Sequence, residues 1–197
     1  MNLTFLGDAL DHWKGSLFES LSREGILRNF AVDPMASDLP AWQPEDFLLL
    51  AQLLRVDRSQ IVEHKADLGD RRTYFAEITH SGDLFLDPDT GVATGRHGAS
   101  RQHLAALEIA RLVAPFDRLL AVYQHVRAQR VCDRVDAVCR VIQAQMPGCH
   151  WCSYESGTVA MIFLARTRDR VSEVALHFSS RLGRHAVGRI RTSTREA

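Results

Sequence analysis

Residues 85 to 91 read Phe-Leu-Asp-Pro-Asp-Thr-Gly, with two carboxylates, Asp87 and Asp89, around a proline at the end of an apolar run. Pro88 fixes its own φ and has no amide donor, so the chain leaving Asp87 is stiff. A second apolar run ends in Tyr123, Gln124 and His125, and Asp8, Asp11 and Lys14 follow one another three apart near the N-terminus. Carboxylate and imidazole on one rim can move protons or hold an amino group, with Asp87, Asp89 and His125 as the catalytic candidates. Lys14, Tyr123 and Gln124 are candidates for orienting a substrate. Hard oxygen ligands support a different chemistry, in which Asp8, Asp11 and Asp87 hold Mg2+ or Mn2+ for metal-dependent cleavage of a phosphodiester. Asp89 and the histidines 12, 64, 80 and 125 offer further ligands or a base for that nuclease reading. Glu63-His64-Lys65 gives it an acid-x-Lys element, although Asp57 stands too near in sequence for that pattern.

These groups act together only if the elements carrying them converge. Leu10, Trp13, Leu17 and Leu21 recur at helical spacing, with Asp8, Asp11, His12 and Gly15 on the other side. Residues 26–34 read as a strand stopped by Pro34. Pro44 opens a helix with Glu45 and Asp46 in its first turn. Residues 59–64 suggest a short strand and 71–81 a helix. "DLFLD" and "RLLAVYQH" are continuously apolar, the pattern of strands covered on both faces. A loop over 88–100 and a helix over 101–113 separate them. A long helix ends before Pro147 and Gly148. Two strands around Gly157, a helix from Asp169 to Leu182 and a last strand at 186–192 complete the order. Alternating strands and helices predict an α/β fold: a Rossmann-like, doubly wound, mostly parallel sheet with an antiparallel edge, in a single domain over 1–197. Ligands in such sheets sit outside the carboxyl ends of the strands, where Asp87, Gln124 and His125 are expected.

The chain has 197 residues, 46% hydrophobic and 24% charged, as expected of a globular domain with a core. Its longest apolar run, "FLLLAQLLRV", is too short to span a bilayer and contains Gln52 and Arg55. The N-terminus carries acids where a signal peptide needs bases, so a cytoplasmic protein without a membrane partner is expected. Cysteines 132, 139, 149 and 152 are then reduced, and Cys149-x-x-Cys152 reads as buried small hydrophobes rather than a redox or zinc pair. Formal net charge is zero, but from Arg166 onward eight arginines face three acids. Such a tail is either a solvated face or a contact for RNA or DNA phosphates.

Three of these landmarks resemble a known group of enzymes. Adenine N6 methyltransferases carry Asp-Pro-Pro-Tyr after a similar apolar strand. The J-type large-subunit rRNA adenine N6 methyltransferase of bacteria also has an N-terminal Gly-Asn-x-x-Asp-x-x-Lys-His helix. Here Gly7, Asp8, Asp11 and Lys14 match that helix in part. A family of uncharacterised bacterial proteins related to it is closer, with a Gly-Asp-x-x-Asp start, a centre similar to "FLDPDTG" at 85 to 91 and a strand similar to "VYQH" at 122 to 125. The resemblance covers most of the chain by order of landmarks. It implies a class I methyltransferase-like sheet, S-adenosylmethionine as cofactor near Asp8, Asp11 and Asp33, and nucleic acid as substrate, with Asp87 holding the adenine amino group. Asp89 and Thr90 replace the motif's second proline and its stacking tyrosine; Tyr123 and Tyr154 are available substitutes. The segment 32–38, where methyltransferases have a glycine-rich cofactor turn, has no glycine. A non-catalytic binding module on the same fold is therefore a third reading.

Overall fold

The computed structural model describes residues 1–95, 100–127 and 129–193. Six strands form the main sheet: β1 (Ala31–Asp33), β2 (Leu84–Leu86), β5 (Leu120–His125), β6 (His150–Ser156), β7 (Val159–Ala165) and β8 (Ile190–Thr192), in the order β1-β2-β5-β7-β6-β8. The short strands β3 (Gly91–Val92) and β4 (His103–Leu104) pair with each other. β1, β2 and β5 run parallel, and β7, β6 and β8 continue the sheet antiparallel. The antiparallel edge is thus three strands wide. Beyond β1, Ile61 makes one parallel bridge to Val32. The chain leaves β1 outward to Ile61 and then crosses back to β2 on the inner side, so strand order reverses between β1 and β2.

Helices cover both faces. Leu17, Phe18 and Leu21 of α1 (Ala9–Arg23), Phe47, Leu50 and Leu54 of α2 (Pro44–Leu54), and Val171, Val174 and Phe178 of α6 (Arg168–Leu182) pack with Val32, Phe85, Ala121 and Phe163. Tyr74 of α3 (Arg71–Ala76), Ile109 and Val113 of α4 (Ala106–Val113), and Val135, Val138 and Ile142 of α5 (Val131–Gln145) pack with Ala31, Leu84, Leu86, Leu120 and Val122. Alternate residues of one strand enter opposite cores, which is why β2 and β5 are apolar throughout.

Three local expectations change. Residues 59–64 give a 3-10 turn and the single bridge at Ile61 rather than a strand. Part of the expected loop over 88–100 is β3, and the expected helix over 101–113 begins with β4. Ahead of α1 the chain makes a 3-10 turn over Leu3–Phe5. Among the described residues, no helix is long and apolar enough to cross a membrane.

Candidate functional site

Strand parity decides which side chains share a cleft. Phe85 faces α1, so Asp87 two residues on faces the same way; Tyr123 and His125 of β5 do likewise. Gly15 lets α1 approach α2 closely, because a Cβ there would stand 2.2 Å from the Leu53 carbonyl oxygen. The N-terminal half of α1 thereby comes down over the ends of β2 and β5. Asp8 caps the helix, its Oδ1 accepting from the Leu10 and Asp11 amides. Asp11 and Lys14, one turn further, are buried. The resulting cleft is open to solvent, has about 570 Å³ of atom-free space, and is lined by Asp8, Asp11, Lys14, Asp87, Asp89, Tyr123 and His125 together with Met1, Phe5 and Arg127.

Lys14 is the hub of this cleft. Its Nζ donates to Asp87 Oδ2 at 2.7 Å and to Asp11 Oδ1 at 3.1 Å, and lies 4.6 Å from the centre of the Tyr123 ring. Burying an ammonium costs several kcal/mol, which two carboxylates and an aromatic face offset here. Burial alone would lower the Lys14 pKa; Asp87 and Asp11 outweigh it and hold the group charged. Burial raises the pKa of Asp11, with Lys14 opposing. Burial also raises Tyr123, so its hydroxyl keeps its proton. The Tyr123 hydroxyl lies 3.1 Å from Nδ1 of His125, whose pKa burial and Arg127 lower, leaving a neutral imidazole.

The end of β1 beside the cleft is closed. The N-terminal ammonium of Met1 donates to the carbonyls of Pro34, Met35 and Asp87 at 2.8, 2.8 and 2.6 Å and lies 3.0 Å from Asp89 Oδ1. Ser37 donates its hydroxyl to the other Asp89 oxygen at 2.6 Å and its amide to the Met1 carbonyl at 2.9 Å. Met35 takes a left-handed φ of +45°, a conformation that favours glycine, and its side chain is fully buried.

Two expected site residues lie elsewhere. Gln124 points to the opposite face from Tyr123 and His125, and its amide accepts from Val92 N and donates to Thr90 O at 2.9 and 3.0 Å. Gly91, with φ +97°, makes room for it: a Cβ there would stand 2.4 Å from the amide. Asp33 likewise faces α3 and is fully buried, accepting from the Met35 amide, the Tyr74 hydroxyl and His64 Nε2 at 2.8, 2.5 and 3.0 Å. His64 is thereby spent on Asp33, with its other nitrogen 3.3 Å from Glu77. His80 bonds the Asn29 carbonyl. Among the described residues, no group of three or more His, Cys, Asp or Glu is arranged to hold a metal ion. Between Asp11 and Asp87 the cation is the Lys14 ammonium.

Tyr154 stacks on Phe178, away from the cleft. Cys149 and Cys152 are free and buried, and burial raises both thiols, Cys149 to about 12. Of the C-terminal arginines, Arg170 pairs with Asp83 and Glu173, Arg181 with Glu24, and Arg191 with Asp136 and Glu155. Arg166 bonds the Ala114 carbonyl. Arg168, Arg184 and Arg189 are exposed, and Arg195 lies outside the described residues. Sequence reasoning passed over Phe5, a cleft-lining aromatic that is 59% exposed, and Arg127. The two residues past His125 carried no motif; an apolar ring preceding Gly7 was the available signal for Phe5.

No family model matches this chain, and no curated protein matches it. Among solved structures the chain is similar to the crystal structure of protein LPL1258 from Legionella pneumophila str. Philadelphia 1, described by the family model DUF519. The TM-score is 0.44 at 11% identity, covering 84% of this chain and 61% of that one. This chain thus spans less than two thirds of that protein's length.

Proposed function

We propose that this chain is a methyltransferase-like α/β protein whose cleft binds an adenine-type ring, and that it works as a binding module rather than by methyl transfer. The observation that carries the reading is the position of Asp87. Its carboxylate follows β2, beside the reversal of strand order, the place where open α/β sheets bind ligands. A carboxylate has acceptor sites beyond the one Lys14 uses, so Asp87 can also accept from an exocyclic amino group. Phe5 at the mouth offers the flat apolar face that the Asp-Pro-Asp-Thr sequence lost with its tyrosine. The neutral His125 and the protonated Tyr123 add uncharged polar contacts.

S-adenosylmethionine, which the resemblance implies, does not fit these residues. The turn after β1 has no glycine at its left-handed position, the Asp33 carboxylate is turned to the other face, and Met1 fills the crevice between Pro34, Met35 and Asp87. No step through that cofactor is therefore assigned. A metal-dependent reaction has no support from the Asp11–Lys14–Asp87 arrangement.

Calorimetric titration with adenosine and with inosine tests the reading. Inosine has a carbonyl where adenosine has the amino group, so adenosine binds tighter by about tenfold or more if that amino group meets Asp87. Equal affinities, or no binding of either nucleoside, contradict it.

A further inference from the structure

A second depression opens beside the cleft and shares His125 and Arg127 with it. Its other lining residues are Thr90, His103, Gln129 and Arg134, and none of the six is an acid. Arg134 reaches across from α5 and donates to Thr94 Oγ1 at 2.6 Å and to the Val92 carbonyl at 2.7 Å. Both partners are neutral, and burial lowers the Arg134 pKa with no carboxylate opposing it. Arg127 is exposed. Among the described residues, neither arginine is paired with a carboxylate, in contrast to Arg170, Arg181 and Arg191. The acid that His103 feels is Asp89, which is held by the Met1 ammonium and Ser37. α5 starts two residues after Gln129, and Asp133 in its first turn is paired with Arg130. Two guanidinium groups without a counter-ion, together with imidazole and amide donors, favour an anion.

We infer that the groove of Arg127, Arg134 and His103 is a binding site for a phosphate ester carried by the ligand whose ring occupies the cleft. The inference rests on the reading of the cleft as an adenine site, and it names the ligand as a nucleotide rather than a nucleoside. It also moves the anionic contact from the C-terminal arginines to the rim beside His125. Arg134 braces β3 and is a poor residue to alter. Arg127 is exposed, so Arg127→Ala leaves the fold intact.

The experiment is calorimetry at low ionic strength with adenosine, adenosine monophosphate and inorganic pyrophosphate, on the unaltered chain and on Arg127→Ala. The monophosphate is expected to bind about tenfold tighter than adenosine, the effect of a charge-assisted hydrogen bond, with the ratio shrinking as salt is added. Arg127→Ala brings that ratio close to one. A monophosphate no tighter than adenosine, or a ratio unchanged in Arg127→Ala, overturns the phosphate site. If adenosine fails to bind, the adenine reading fails, and pyrophosphate then decides the groove. Pyrophosphate binding lost in Arg127→Ala keeps it; binding unaffected by the change, or absent, removes it. A short oligoadenylate distinguishes the source: a salt dependence steeper than the monophosphate's assigns the phosphate to a strand, and an equal one to a single nucleotide.

Discussion

The polar residues divide by what they touch rather than by type. Asp33 ends parallel strand β1 and Asp87 directly follows parallel strand β2, and each is followed by proline. Asp87 opens on the cleft, while Asp33 is consumed by Tyr74, His64 and the Met35 amide. That buried set makes a residue-scale prediction. His64 faces Asp33 and Glu77 through its two nitrogens and stacks on Tyr74 at 3.7 Å. Burial alone would lower its pKa, but the hydrogen bonds and charges of Asp33 and Glu77 raise it above the ordinary 6.5. A raised folded pKa means that the imidazolium stabilises the fold fully below the unfolded value and ceases to do so as pH climbs through the folded one. Relative to His64→Gln, the unaltered chain should therefore be more stable by about 1–3 kcal/mol below pH 6.5, narrowing as pH rises above it. Chemical denaturation across pH checks this; a difference that is constant with pH contradicts it.

At the scale of elements, α1 decides whether the site exists. It carries the Asp8 cap, Asp11 and Lys14, and it reaches β2 only because Gly15 meets the Leu53–Leu54 backbone. Helix propensity alone makes Gly15→Ala stabilising by about 1 kcal/mol. The 2.2 Å approach of its Cβ to the Leu53 oxygen forces the two helices apart, and overpacking costs about 1–3 kcal/mol. The expected outcome is a less stable protein with weakened adenosine binding; a variant more stable than the parent would show that the helices are not in this contact. The strands ending at Asp87 and His125 were legible because a continuous apolar run marks a strand covered on both faces. Period-two alternation, the same property that makes such runs apolar, put Gln124 out of the cleft: it belongs to the face of Val122, not that of Tyr123. Asp11 stands opposite the apolar stripe of the helix, and helical periodicity does not reveal that Lys14 and Asp87 close over that side. β3 and β4 escaped notice because two-residue strands leave no periodic signal.

The whole molecule is a sheet with helices on both faces and a reversal of strand order, and that much follows from alternating apolar segments. What the sequence alone could not decide was the state of the cofactor crevice. The missing glycine raised the question; in the fold Met35 is buried in a left-handed turn and Met1 is seated against Pro34 and Asp87, which supports the proposal that S-adenosylmethionine does not bind there. The cleft that remains lies over β2 and β5, with a cationic groove beside it. A cofactor pocket distinct from the adenine site would make S-adenosylmethionine bind alongside adenosine, and its methionine part would add affinity. The most direct measurement is thus a competition titration of S-adenosylmethionine against adenosine. The account predicts that the cofactor binds no tighter than adenosine and is excluded by saturating adenosine. Tighter binding, or binding of both together, would contradict it.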